Sequence, residues 1–220
     1  MSGSSGQATG GRLYAGKSPA TRHAERRRRF IEAGIEVIGT RGYAAASIKA
    51  LCTEAGLTER YFYQCFDNRE ALLAAVYQHL DDQLYERTLE ALAGTAPEPL
   101  AMARAGARVW FGQLRDDPRV ARILLFEAVG ASDRLAELNR EAEARQVALI
   151  RGSTGRDGDG GSDDTLETLV AAGLVGAAVN IAMRWVLADY RQSLDEVVAS
   201  LVVFYEALGK YMSEHEGRSK

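Results

Sequence analysis

The segment Ser47–Phe66, SIKALCTEAGLTERYFYQCF, concentrates side chains suited to reading base edges beside phosphates. Arg60 carries a fork of N–H donors that matches O6 and N7 of guanine, and Glu59 can accept from N4 of cytosine. Tyr61 is amphipathic and suits a thymine methyl. Such chemistry requires short, rigid elements that hold these groups outward, and the same segment predicts them. Ser47 suits a helix N-cap, and Ile48, Leu51 and Cys52 form an apolar stripe at i, i+3, i+4. Ala55-Gly56-Leu57 breaks that helix, with Gly56 suited to a left-handed C-terminal position. Thr58 restarts the chain as the next N-cap, and Phe62 and Phe66 turn back to the core. The expected unit is a helix-turn-helix, a motif whose second helix can enter a DNA major groove.

The charge distribution agrees. Residues 1–66 hold ten Lys/Arg against five Asp/Glu, a net charge of +5, while the remainder holds 17 against 25, a net charge of −8. A basic N-terminal third on an acidic body fits a polyanion-binding module joined to a soluble one. The chain has 220 residues and is 46% hydrophobic, ample for a packed core. Two cysteines, Cys52 and Cys65, make neither a metal cluster nor a disulfide framework. The N-terminus lacks the order of a secretory signal, so the expected compartment is the cytoplasm.

The elements that must carry the motif follow from periodicity. Residues 1–20 are Gly-, Ser- and Ala-rich and read as a flexible basic arm. A helix is expected from about Thr21 to Arg41, with Phe30, Ala33, Val37 and Ile38 on its core face. After the helix-turn-helix, Asp67 or Asn68 should cap a long helix from Arg69 to about Ala93. Further helices are expected at Pro99–Arg115, from Pro118 toward Val129, at Ser132–Arg151, at Thr165–Tyr190 and at Ser193–Ser213. Residues 152–164 read as a flexible linker by composition. The fold class is all-α, organised as arm (1–20), helix-turn-helix domain (21–66) and effector-binding and dimerisation domain (67–220).

Several of these elements, in register, resemble the TetR family of bacterial transcriptional regulators. The resemblance is strongest over Arg26–Leu73 and rests on Arg41-Gly42-Tyr43, Ser47-Ile48-Lys49, Glu54-Ala55-Gly56-Leu57-Thr58, Phe62-Tyr63-x-x-Phe66 and Asn68-Arg69-Glu70-Ala71-Leu72. It implies that Ser47 and Lys49 contact phosphate or a nearby base edge, and that Thr58 caps the recognition helix with backbone N–H groups facing a phosphate. It implies that Glu59, Arg60 and Tyr61 present to the major groove, and that Tyr63 and Arg69 bind phosphates. Arg26 and Arg29, in the arginine run that opens the first helix, would meet the DNA backbone. By analogy with homeodomain arms, Arg12, Lys17 and Arg22 would reach a minor groove. Two positions depart from the family pattern: Cys65 stands where His is usual, and Arg69 where Lys is usual.

For the body, the family implies a small-molecule effector and a homodimer. Candidate pocket residues are Tyr85, Trp110, Phe111, Leu114, Phe126, Asn180, Met183 and Arg184, although most suit an ordinary core equally. The run Leu169–Met183 is apolar but short for a membrane span, and its small residues favour helix–helix packing. Gly173 and Ala177, with Val197, Leu201, Phe204 and Leu208 of the last helix, would form half of a four-helix dimer interface. Asp157, Asp159, Asp163 and Asp164 fail the EF-hand spacing, and no catalytic motif stands out, so no metal, cofactor or enzyme activity is expected. The expected function is a ligand-responsive repressor on a near-palindromic DNA operator. The alternatives are a redox-sensing regulator acting through Cys65, and a helical binding protein whose helix-turn-helix is only structural.

Overall fold

The fold is seen in a computed structural model that describes residues 18–153 and 162–216, and all its regular elements are helices among those residues. The arm residues Arg12 and Lys17, and Asp157 and Asp159 of the linker, lie outside the described residues. Helix α1 spans Pro19–Arg41. It begins two residues before the expected Thr21 because Ser18 caps it, accepting from the Thr21 N–H at 3.1 Å, and Pro19 occupies a position where its missing N–H costs nothing. Gly42, at φ +86°, turns the chain out of α1 into a short 3₁₀ turn at Tyr43–Ala45.

Helix α2 (Ile48–Ala55) is capped by Ser47, whose hydroxyl accepts from the Ala50 N–H at 3.1 Å. It ends at Gly56 in the left-handed conformation, φ +61°. Helix α3 (Glu59–Cys65) follows after Leu57-Thr58. Phe30 of α1, Phe62 of α3 and Phe66 are buried together, Phe62 and Phe66 each meeting Phe30 edge-on with ring centroids 5.4 and 6.4 Å away. This aromatic cluster fixes the angle between the motif and α1.

Helix α4 (Arg69–Ala93) starts at Asn68, whose side-chain oxygen accepts from the Ala71 N–H at 2.8 Å. It carries Leu72, Leu73 and Val76 against α1 and Leu80 and Leu84 into the body. Helices α5 (Pro99–Asp116) and α6 (Pro118–Arg122) meet at Asp117, which accepts from the Arg119 N–H at 3.1 Å. The helix expected from Pro118 toward Val129 is not uniform: α6 widens into a π-helical turn at Ile123–Glu127. Helices α7 (Asp133–Ser153), α8 (Ser162–Leu187) and α9 (Leu194–Glu216) complete the body. Helix α9 packs along α5, and α7 along α8.

The α8–α9 connection contains two successive left-handed residues, Asp189 (φ 55°) and Tyr190 (φ 53°). Such backbone is costly away from glycine. Tyr190 holds it by donating its hydroxyl to the Leu114 carbonyl at 2.9 Å and by packing its ring on Trp185. Within α8, Glu167–Leu187 is long and apolar enough to cross a membrane by length and mean hydropathy. Its inner side is spent on the body, where Ala171, Leu174, Ala182 and Trp185 are buried.

Candidate nucleic-acid interface and interior cavity

Helix α3 is short, and its partners decide which of its side chains remain available. Phe62 faces the core and is fully buried. Glu59 and Arg60 are exposed at the helix start, and Arg60 makes no ion pair or hydrogen bond with the described residues. Tyr63 is 57% exposed, with its ring edge-on to Phe62 at 5.6 Å. Lys49 is exposed on α2, and Ser47 is exposed but already engaged as the α2 cap. Together Ser47, Lys49, Glu59, Arg60 and Tyr63 leave polar groups facing solvent at the motif.

Other predicted contacts are used inside the protein. Tyr61 is half-buried, with the Arg26 guanidinium stacked 4.0 Å from its ring centroid. Arg26 also reaches the Gln64 side chain at 3.4 Å, and His23 bonds the Gln64 carbonyl at 3.0 Å. The start of α1 therefore clamps the end of α3. Arg29 donates to the Ala55 carbonyl at 2.5 Å, so it closes the C-terminus of α2, where a cation is favoured. Arg69 donates to the Ala46 carbonyl at 3.3 Å and lies over the Tyr43 ring. Thr58 has the extended backbone of an N-cap, but its side chain makes no capping hydrogen bond. The Thr58 carbonyl takes the Tyr61 N–H at 2.9 Å and the Phe62 N–H at 3.2 Å, while the Glu59 and Arg60 N–H groups donate no bond to the Thr58 hydroxyl.

Cys52 is buried in the core, and Cys65 is half-buried beside Arg26 and Arg27. Burial pushes the Cys65 thiol up, and the two arginines offset that only in part. A raised thiol disfavours the reactive thiolate, which counts against an oxidant-driven reading.

The body holds a cavity of about 460 Å³, partly open to solvent, between α4, α5, α7 and α8, with contributions from α9. Tyr77, Asp81, Leu84, Thr88 and Leu92 line it as one stripe of α4, about 22 Å long at 1.5 Å per residue. Of the eight pocket candidates, Trp110, Asn180 and Met183 line the cavity. Tyr85, Phe111, Leu114, Phe126 and Arg184 do not. Phe111 and Leu114 are fully buried in the core, Phe126 packs against that core, and Tyr85 lies under the Arg145 guanidinium. Arg184 donates to the Asn180 side chain at 3.0 Å and so orients a lining residue without lining the cavity.

Sequence reasoning named Asn180 but missed the acidic groups of the lining, Asp81 and Glu143, and the amides of Asn139 and Gln146. Asp81 is buried, held by Arg145, which also donates to Asp82 at 2.8 Å. Burial pushes the Asp81 carboxyl up, partly offset by Arg145. Tyr77 donates to Asn139 at 2.9 Å. Burial pushes the Tyr205 hydroxyl up to about 12. The signal for Asp81 was present: an acid on the apolar stripe of α4, where a charge is costly without a partner.

One set of contacts joins cavity and motif. Leu124 and Leu125 of the π turn line the cavity. Glu127, at the end of the same turn, accepts from the Tyr43 N–H at 2.9 Å and from Arg122 at 2.9 Å. Arg122 donates to the Thr40 carbonyl at 2.9 Å, and Arg119 pairs with Glu36 at 2.7 Å. At Gly39 a side-chain carbon would lie 2.9 Å from the Arg119 Cα, so α6 rests directly on the α1 backbone.

Residues 30–76, covering the end of this clamp and the whole motif, match the family model described as bacterial regulatory proteins, tetR family. The helix-turn-helix region is thus of the TetR type. It is 26% identical over 180 residues, 82% of this chain and 81% of the relative, to the HTH-type transcriptional activator FasR of Mycolicibacterium smegmatis. The same fold is found in the transcriptional regulator FadR from Bacillus subtilis, solved in complex with stearoyl-CoA. That likeness has a TM-score of 0.68 at 20% identity and covers 80% of this chain and 95% of the other. FadR from Bacillus halodurans, a fatty acid degradation regulator, gives a TM-score of 0.69 at 18% identity over 85% and 94% of the two chains. Its N-terminal helix-turn-helix domain and helical body are laid out as in these regulators.

The outer surface of α8 and α9 is apolar. Leu169 is 66% exposed, Leu187 74%, Val203 60% and Phe204 52%. Gly173 is exposed nearby and Ala177 is half-buried. Val197 and Leu201, expected at a dimer interface, are instead buried in the chain's own core, and Leu201 lines the cavity. They face α5, which α9 packs along, and the helical period therefore turns Val203 and Phe204 outward. The side chain of Leu208 lies outside the described residues.

Proposed function

We propose that this regulator binds a near-palindromic operator as a homodimer and is released by a lipophilic effector with a long acyl chain. The observation that carries the reading is a solvent-facing recognition helix tied, through the π turn, to an elongated apolar cavity. Arg60 and Glu59 would read base edges, with Ser47, Lys49 and Tyr63 on phosphates. Thr58 and the opening N–H groups of α3 would receive a further phosphate. Arg26, Arg29 and Arg69 would act chiefly by holding α1, α2 and α4 in place, with their remaining donors turned toward the backbone of the DNA. Domain limits at 21–66 and 67–220 fit this division, with α4 crossing between them.

The effector class rests on the cavity's shape and on the stearoyl-CoA bound to the Bacillus subtilis relative. A ligand pressing on Leu124 and Leu125 would shift the turn that carries Glu127, and with it Tyr43 and the end of α1. The coupling is a population shift, so the ligand must favour the state that fits DNA poorly. With an operator over its promoter, such a protein represses. The Mycolicibacterium relative is named an activator, so operator position would set the sign.

The deciding experiment titrates the protein against DNA from upstream of its own gene, beside a scrambled duplex, at two salt concentrations and with palmitoyl-CoA. Tight binding to the native duplex alone, weakening steeply with salt and lost with palmitoyl-CoA, is expected. Equal weak binding to both duplexes would leave the helix-turn-helix as a structural unit.

A further inference from the structure

Tyr77 of α4 borders three spaces in the body. It lines the cavity of about 460 Å³, a groove of about 270 Å³, and a recess of about 140 Å³ beside Arg145. The groove lies between the segment that follows the π turn and the first half of α7. Most of its lining is apolar: Tyr77, Ala128, Val129, Leu135 and Ala136. Asn139 and Arg140 form its polar edge, and both are exposed. The groove offers more than half as much space again as the cavity, and its surface suits an alkyl chain.

Cavity and groove share Tyr77, Val129 and Asn139, so these side chains stand between the two. Val129 is largely exposed in the turn before α7, and Asn139 is exposed on α7. Both have solvent to move into. Tyr77 is buried, and its hydroxyl is anchored by donating to the Asn139 side-chain oxygen at 2.9 Å. The partition is therefore closed by a hydrogen bond between two neutral groups. Such a bond changes an equilibrium by about fivefold, so it biases the partition toward the closed state without sealing it.

We infer that cavity and groove are two chambers of one ligand site, and that the Tyr77–Asn139 hydrogen bond between them sets which chain length binds best. A chain that fits the cavity leaves the bond intact. A longer chain breaks it to reach the groove, and gains there the burial of further methylenes against Leu135 and Ala136. The cost of opening falls on long chains alone. Tyr77 and Asn139 are thus specificity residues, although neither supplies a charge or a catalytic group. This rests on the acyl-effector reading of the cavity and adds to it a length selection made by this chain's own residues.

The test titrates the full-length protein and its variants with lauroyl-CoA and stearoyl-CoA by isothermal calorimetry. Tyr77→Phe and Asn139→Ala each remove the bond, the second at an exposed position where folding is not at stake. Each should tighten stearoyl-CoA about fivefold and leave lauroyl-CoA unchanged. The double variant should gain no more than either single one, because both changes remove the same bond. Ala136→Trp fills the groove from an exposed position of α7 and should weaken stearoyl-CoA severalfold while sparing lauroyl-CoA. Equal shifts for the two ligands, or no shift for either, overturns the inference and leaves the acyl-chain cavity intact. Failure of both ligands to bind the wild type and every variant overturns the acyl-effector reading itself, and the inference with it.

Discussion

Arg60 and Arg29 are two arginines of one basic segment with opposite employment, and substitution separates them. Arg60 is exposed and without a protein partner among the described residues, whereas Arg29 closes the end of α2 through the Ala55 carbonyl. Arg60→Ala should weaken operator binding by about 1–3 kcal/mol at one base position and relax preference there, read from binding to a set of single-base variants. A uniform loss across all variants would make Arg60 a phosphate contact. Arg29→Ala should instead lower unfolding stability by about 1 kcal/mol, the usual net worth of such a bond, visible in urea titration without DNA. Tyr63→Phe removes only a hydroxyl from an exposed ring, so it should reduce affinity for every sequence alike without changing stability.

At the scale of elements, the α5–α6 joint and the α1–α6 contact are where chemistry in the body can reach the motif. Asp117 caps α6 and holds Arg119, and the Arg119 hydrogen bonds keep its carboxyl below the usual carboxylate range. A lowered folded-state value means the unfolded chain binds that proton more tightly. Asp117 therefore contributes stability above about pH 4, and the contribution is lost as pH falls through the lowered folded-state value. Asp117→Asn keeps the cap but removes the charge. The variant should be less stable than wild type by about 1 kcal/mol or less at pH 7, and the difference should shrink as pH falls toward 2, in urea titrations at both values. Gly39→Val should push α6 off α1, because a side-chain carbon there meets the Arg119 backbone. It should cost about 1–3 kcal/mol in unfolding stability and diminish the release of DNA by ligand. Release unchanged from wild type in a folded Gly39→Val protein would place the coupling elsewhere. Elements of this kind were legible to different degrees. The caps at Ser47 and Asn68 and the turn at Gly56 are local and stand in the sequence. Ser18-Pro19 carried the true start of α1, although the apolar stripe alone pointed to Thr21. The π turn at 123–127 was not legible: no local residue signal marks it, and the bond that Glu127 makes at its end reaches Tyr43 across 84 residues of chain. The cavity lining was half legible for the same reason: periodicity shows which α5 and α8 residues face inward, but not which of them touch one another and which border a space. Phe111 and Leu114 closed on the core, while Trp110, their neighbour, was left against the cavity.

At the scale of the whole molecule, the outer faces of α8 and α9 set how two recognition helices reach one DNA. Leu169, Leu187, Val203 and Phe204 form a concentration of exposed large apolar side chains that a lone chain has no use for. A second copy packed on this face would bury them in a four-helix arrangement and place the two copies of α3 about 34–36 Å apart, one turn of DNA. Phe204→Glu puts a charge into that contact without touching the core, since Phe204 is more than half exposed in the single chain. Sedimentation should then show a monomer, against the dimer proposed for the wild type. Affinity for the palindrome should fall about a hundredfold or more, because each half-site contact loses the effective concentration supplied by its neighbour. The salt dependence should weaken toward half its wild-type slope, since a single motif neutralises half the phosphates. A variant that stays dimeric and binds DNA as before would move the interface off this face. A variant that is monomeric yet keeps full affinity would show that one helix-turn-helix is enough, and that the operator need not be a palindrome.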